Sequence, residues 1–250
     1  MDNSSTTLAR SVAGLSPEGL QRPSYAQAWN IADVLAHLGA SAEISTKLLE
    51  QAVMETRTGP AADSRRLIQE RWLAMSPVRR REAWLEADAR HRQVLSGLSP
   101  DQRASLRVPL FAGSVTLPVY VGYLLSEQSV HAWDVEVGLD PTATIPRAEV
   151  DLLWQRIDRV ATRFRDLATL TRLAPCQMSV ELDDRVRSLA LIVDTELHIY
   201  PCEAYEPVAT ISGSAEAVLR LVYGRNRPDD AVTVTGKHSL AELRALFPGV

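Results

Sequence analysis

Apolar residues change their spacing along this chain, and that change limits what it can fold into. From Ile31 they recur at helical intervals, through Val34, Leu35 and Leu38 towards Leu48 and Leu49. From Cys176 they alternate, Met178, Val180 and Leu182 being separated by Ser179 and Glu181. A period near 3.6 buries one face of a helix, whereas a period of two buries one face of a strand. The spacing therefore predicts an N-terminal bundle of three or four long helices over residues 1–140 and a Pro-containing joint from Pro141 to Arg147. A smaller α+β domain with a mainly antiparallel sheet is expected over residues 148–250.

Local signals place the elements. Ser16, Pro17 and Glu18 supply an N-cap, a first-position proline and a first-turn acid, so a short helix starts there. Asn30 and Asp33 resemble a capping pair, and Leu98 to Asp101 repeats the cap chemistry. Thr56 to Ser64, with Gly59 and Pro60, is expected to be a loop between helical segments, with Arg65–Ala74 and Val78–Leu95 helical beyond it. Leu106 to Thr116 contains Pro109 and Gly113 and is expected to be an extended connection before a helix that begins near Pro118. Ala148 to Leu170 is expected to be one helix, burying Leu152, Leu153, Ile157, Val160 and Phe164. Four or five strands should follow, interrupted by a helix within Ser212–Gly224 and closed by one at Ser239–Phe247.

Charge narrows the partners. The 250 residues carry a formal net charge of −4, so no general basic surface attracts nucleic acid or anionic lipid. The N-terminus lacks the pattern of a signal peptide and no charge-free apolar run reaches membrane-spanning length, which implies a cytoplasmic protein. Small molecules are the expected partners, and the expected state is a monomer or weak homo-oligomer. Cys176 and Cys202 have no C-x-x-C spacing and are expected to be buried apolar fillers.

One constellation has the makings of chemistry. Glu127 and His131 stand at i and i+4, which on a helix puts both side chains on one face, and His37 lies in another helical segment that a bundle could bring opposite. Two imidazoles and one carboxylate are the ligand set of a catalytic zinc site, which keeps a position open for water or substrate. Asp134, three residues after His131, could orient the site from behind. A plainer reading makes His37 a structural histidine and the Glu127–His131 pair a surface ion pair.

The run Trp29 to Leu38, with its V-x-A-H-L core, and the later E-x-x-x-H-x-W-D of Glu127, His131, Trp133 and Asp134 resemble the mycothiol-dependent maleylpyruvate isomerase family. The family's common P-G-W entry reads Gln27-Ala28-Trp29 here. The resemblance implies a DinB-like four-helix bundle joined to a smaller domain similar to sterol carrier proteins. It also implies a divalent metal, usually zinc, held by His37, Glu127 and His131, with mycothiol as the thiol cofactor on that metal. An arginine from the C-terminal domain acts in the family's active site, and Arg225 is the nearest match. Such an enzyme would isomerise a cis double bond by thiolate addition and elimination, or act as a transferase that releases a thioether. The alternative is a non-catalytic small-ligand-binding protein with a structural or vestigial metal site.

Other residues have simpler expectations. Trp29 and Trp133 are candidates for core aromatics or for the wall of a cofactor-binding pocket. The arginines at 65, 66, 71, 79, 80 and 81 suit a solvated face, with contact to an anionic substrate as the second reading. His91, in an Arg-rich helix, is expected to be exposed, whereas packing and a helix start account for His198 and His238.

Overall fold

The computed structural model describes residues 2–26, 28–54, 62–110, 113–184 and 188–249. Gln27 and most of the expected loop at Thr56–Ser64 lie outside the described residues, although Ala62 to Ser64 already belong to a helix. The chain forms two compact units, Met1–Thr144 and Ile145–Val250.

In the first unit, α1 (Asp2–Ala13) and the four-residue α2 (Pro17–Leu20) precede the long α3 (Ile31–Val53). Then come α4 (Ala62–Leu73), α5 (Pro77–Ser96) and α6 (Pro100–Ser105). A hairpin of β1 (Arg107–Leu110) and β2 (Gly113–Thr116) leads into α7 (Leu117–Leu139). The caps act as their residue types require: Ser16 accepts from the Gly19 N–H, and Asn30 and Asp33 form a reciprocal capping box, as do Ser99 and Gln102.

Helix α3 runs along α5, and α1 along α7. The α3 stripe of Ile31, Val34, Leu35 and Leu38 is buried with Trp84 of α5 and Val135 of α7. Gly39 lets α4 close in, because a Cβ there would lie 2.2 Å from the Trp72 ring. The Trp72 indole N–H then reaches the Glu43 carboxylate at 3.0 Å.

Several features of this unit depart from the expectations or add to them. The polar, Ser/Thr-rich start is helix α1; Leu8 and Val12, one turn apart, are fully buried and were its only apolar signal. The supposed connection at Leu106–Thr116 is the antiparallel hairpin, with Arg107 opposite Thr116 and Leu110 opposite Gly113. Pro109 is tolerated because both strands of this two-stranded sheet are edges. His91 is buried, not exposed, at 2%. Its Nδ1 lies 3.2 Å from the Thr46 hydroxyl, which itself donates to the Ala42 carbonyl, so the ring donates there. The arginine face is also mixed. Arg79 pairs with Glu82 and Glu86 at the surface, whereas Arg81 donates to the Val12, Ala13 and Leu15 carbonyls at the end of α1.

The second unit opens with α8 (Arg147–Trp154), α9 (Ile157–Phe164) and α10 (Leu167–Leu173) in place of one helix. Arg165 is extended, and the Asp166 carboxylate accepts the Thr169 N–H at 2.7 Å, which starts α10 afresh. Leu153, Ile157 and Val160 are still buried, but Phe164 is only partly buried and Leu152 is exposed.

Five strands follow: β3 (Cys176–Leu182), β4 (Ser188–Val193), β5 (Leu197–Tyr200), β6 (Ala209–Gly213) and β7 (Val232–Gly236). Their order is β5-β4-β3-β6-β7, antiparallel except where β3 meets β6. The parallel pair needs a long crossover, and β4 and β5 lie within it. Helices α11 (Ala215–Val222) and α12 (Leu240–Leu246) complete the α+β unit. Cys176 is partly buried at the start of β3, but Cys202 is exposed beyond the end of β5, so only the first resembles the expected filler. Among the described residues no helix is long and apolar enough to cross a membrane.

Candidate metal centre

Helix α7 presents Glu127, His131 and Asp134, and α3 presents His37. One ligand atom from each of His37, Glu127 and His131 lies within 4.8 Å of the other two, and these three form the metal-ligating group found among the described residues. His37 Nε2 is 3.1 Å from Glu127 Oε2, and His131 Nε2 is 4.0 Å from the same oxygen. Tetrahedral zinc with bonds of about 2.0–2.2 Å separates its ligand atoms by about 3.4 Å, so the two spacings bracket what the ion requires.

The ligand set is supported from behind. His131 Nδ1 lies 2.9 Å from Asp134 Oδ2, and Asp134 is fully buried. A buried carboxylate accepts a hydrogen bond from the Nδ1–H, and in the neutral ring this leaves the lone pair on Nε2, the atom that would bind an ion. Burial alone would raise the Glu127 pKa. The His37 hydrogen bond, the charges of His131 and His37 and a hydrogen bond from Tyr123 outweigh it and hold the carboxyl below its usual value. Glu127 is therefore an anion between two imidazoles, the donor set of a borderline divalent cation.

Residues 1–136 match the family model of the mycothiol maleylpyruvate isomerase N-terminal domain. The chain belongs to that family. The fold resembles the crystal structure of the mycothiol-dependent maleylpyruvate isomerase, with TM-score 0.67 and 18% identity over 95% of this chain and 91% of the other. A histidine-to-alanine mutant of that isomerase gives TM-score 0.67 and 17% identity over the same shares of the two chains. No curated protein matches.

Within this member of the mycothiol maleylpyruvate isomerase family, the two tryptophans part company. Trp29 is 37% exposed, and its ring lies 5.1 Å from that of His37 and 5.8 Å from that of His131, the latter stacked. Trp133 is in the core: its indole N–H donates to the Ala143 carbonyl at 2.9 Å and its ring meets Tyr25 edge-on. The reason is helical phase. Trp133 is two residues from His131, which turns it to a different face of α7.

Ala28, where the family's entry has glycine, adopts φ +65°. The left-handed conformation that favours glycine is thus kept by an alanine. The following Trp29 carbonyl is fixed by the Ser24 N–H at 3.0 Å and the Ser24 hydroxyl at 2.9 Å. Arg225 lies buried in the second unit, where it donates to the Tyr223 carbonyl at 2.9 Å.

A cavity of about 570 Å³ adjoins the ligand set within the first unit. His37, Ala40, Ile44 and Leu48 line it from one face of α3, and Tyr120, Tyr123 and Glu127 from one face of α7. Arg65, Gln69 and Trp72 line it from α4, and Pro109 and Leu110 from the hairpin. Sequence reasoning did not single out Tyr120 and Tyr123; the signal was there in their i, i+3, i+7 spacing with Glu127. Arg65 was grouped with a solvated face, and only the packing of α4 over α3 sets it apart.

Proposed function

We propose that this protein is a metal-dependent enzyme of the thiol-dependent isomerase family, using mycothiol to act on a small electrophilic metabolite. The carrying observation is the convergence of His37 from α3 with Glu127 and His131 from α7, helices about 90 residues apart in the chain, on one point beside the cavity. When bound, a divalent ion such as zinc and the thiol would together supply a thiolate nucleophile at neutral pH, for reversible addition in cis-trans isomerisation or for S-transfer.

The chain's own residues have separate tasks in this reading. His37, Glu127 and His131 would hold the ion, and Asp134 keeps the His131 ring in the tautomer that can donate a lone pair. Trp29 flanks both imidazoles and limits access of water from its side. The cavity orients the partner next to the reacting position. Arg225 enters only through the family resemblance, its guanidinium being engaged by Tyr223.

A non-catalytic binding protein with a structural metal is less well supported, because structural zinc takes four protein ligands and the group found among the described residues has three members. Metal analysis and calorimetry test the proposal. The protein should bind about one divalent ion per chain and should bind mycothiol far more tightly than a desthiol analogue. Equal binding of thiol and analogue by the zinc form would rule out thiolate chemistry, and a protein that refuses zinc would remove its basis.

A further inference from the structure

The cavity beside the ligand set changes character along its length. Asp33 and His37, one turn apart on α3, bring a carboxylate and an imidazole to the end where Glu127 arrives from α7. From His37 the α3 stripe runs on through Ala40, Ile44 and Leu48, eleven residues or roughly 16 Å of helix. Leu48 and Tyr120 belong to one buried apolar cluster, and Ile44, Leu110 and Tyr123 pack against it. The far end of the cavity is therefore continuous with the hydrophobic core of that part of the bundle.

The polar groups farther in are committed to the protein. Ser45 partners the Tyr120 hydroxyl, and burial pushes the Tyr120 pKa up to about 12, so the side chain stays neutral. Arg65, the one lysine or arginine among the described lining residues, is engaged within the protein, and its charge also acts on Tyr120. At the other end Arg80 neutralises Asp33 at 2.5 Å. A carboxylate brought in beyond His37 would shed its water and would have to draw Arg65 from its present partner. An alkyl or aryl group in the same place would meet Ala40, Ile44, Leu48 and Leu110 and displace only water.

We propose that the substrate class is an electrophile with an uncharged apolar body, an alkyl or aryl group seated along α3 between Ala40, Leu48 and Leu110, its reactive end at His37 and Glu127. The inference rests on the thiol-dependent reading above and narrows its substrate. The volume of about 570 Å³ suits such a body, since sites for small ligands run to about 300–1,000 Å³. Ala40, Ile44, Leu48 and Leu110 are then the residues that set specificity, by excluding a charge from the end of the substrate remote from the reaction.

A series of 1-butanol, 1-hexanol and 1-octanol tests this with uncharged probes that a thiol does not attack. Binding is read by calorimetry and by quenching of tryptophan fluorescence, Trp29 and Trp72 both lining the cavity. Affinity should rise about threefold to fourfold with each added methylene, as burial of that group requires. Octanedioate, of the same length but charged at both ends, should bind at least about tenfold more weakly than 1-octanol. Ala40→Leu fills the space one turn beyond His37 and should abolish octanol binding. Leu110→Asn, on the half-buried edge of the hairpin, should weaken it several-fold. Affinities that do not rise with chain length, a diacid bound as tightly as the alcohol, or octanol binding unchanged in both variants overturns the inference. Mycothiol titrated into the same preparation keeps the two readings apart: thiol binding without octanol binding removes only the cavity assignment. Octanol binding that grows with chain length and is blocked by Ala40→Leu, without thiol binding, upholds the apolar site and removes only the thiol chemistry.

Discussion

His131 and Asp134 are joined by a 2.9 Å hydrogen bond within one turn of α7, with the carboxylate fully buried and the imidazole facing Glu127. The pair converts a helix-surface histidine into an oriented donor. Asp134→Asn retains the shape but not the charge that holds Nδ1 protonated. Metal affinity, read by competition with a chelator, should fall by about 10- to 100-fold. His131→Ala should abolish metal binding altogether; an unchanged metal content in that variant would remove His131 from the ligand set, and an unchanged affinity in Asp134→Asn would remove only the orienting role of Asp134.

His91 gives a pH dependence whose sign follows from its burial. Burial pushes its pKa from 6.5 down to about 4. Its Nε2 is buried without a partner among the described residues, so a second ring proton would find no acceptor. Between those two pH values the unfolded chain binds more protons than the folded one, and stability falls as pH drops through the window. The loss should approach about 3 kcal/mol by pH 4, with no contribution above pH 6.5. Urea denaturation across this range should show a shallower decline for His91→Leu than for the wild type, the carboxylates being common to both; parallel curves would refute the assignment.

Gly39 faces the Trp72 ring, and two effects of Gly39→Ala compete there. Alanine in a helix interior gains about 1 kcal/mol over glycine. A Cβ 2.2 Å from the ring forces Trp72 and α4 to move, and overpacking of this kind costs about 1–3 kcal/mol. The clash should win, lowering the melting temperature and shifting tryptophan fluorescence as the indole loses Glu43. A stabilised Gly39→Ala protein would show that α4 does not pack this closely.

Ala28 presents the opposite case. Its φ of +65° is strained for alanine and free for glycine. Ala28→Gly should therefore stabilise the protein by about 1 kcal/mol, partly offset by the greater freedom of glycine in the unfolded chain. The denaturant midpoint reads this directly. A midpoint that falls would mean that the turn before Trp29 does not hold the left-handed conformation.

Much of the local structure was legible in residue order, because it depends on interactions within a few residues. Ser16, Asn30 and Ser99 announce helix starts through side chains that cap the next turn, and the alternation of Met178, Val180 and Leu182 announces a strand through its buried face. The placement of Glu127 and His131 on one helical face is of the same kind, and so is the presence of Asp134 one turn below. What is decided over distance was not legible. His37 and Glu127 are 90 residues apart, and only the packing of α3 against α7 makes them neighbours. Packing of α5 against α3 likewise decides that His91 is buried, and packing around α7 decides that Trp29 flanks the imidazoles while Trp133 fills the core. Short-range preferences are written in periods of two and 3.6, whereas burial depends on which faces of separate elements meet, and that is settled by the summed contacts of the whole unit.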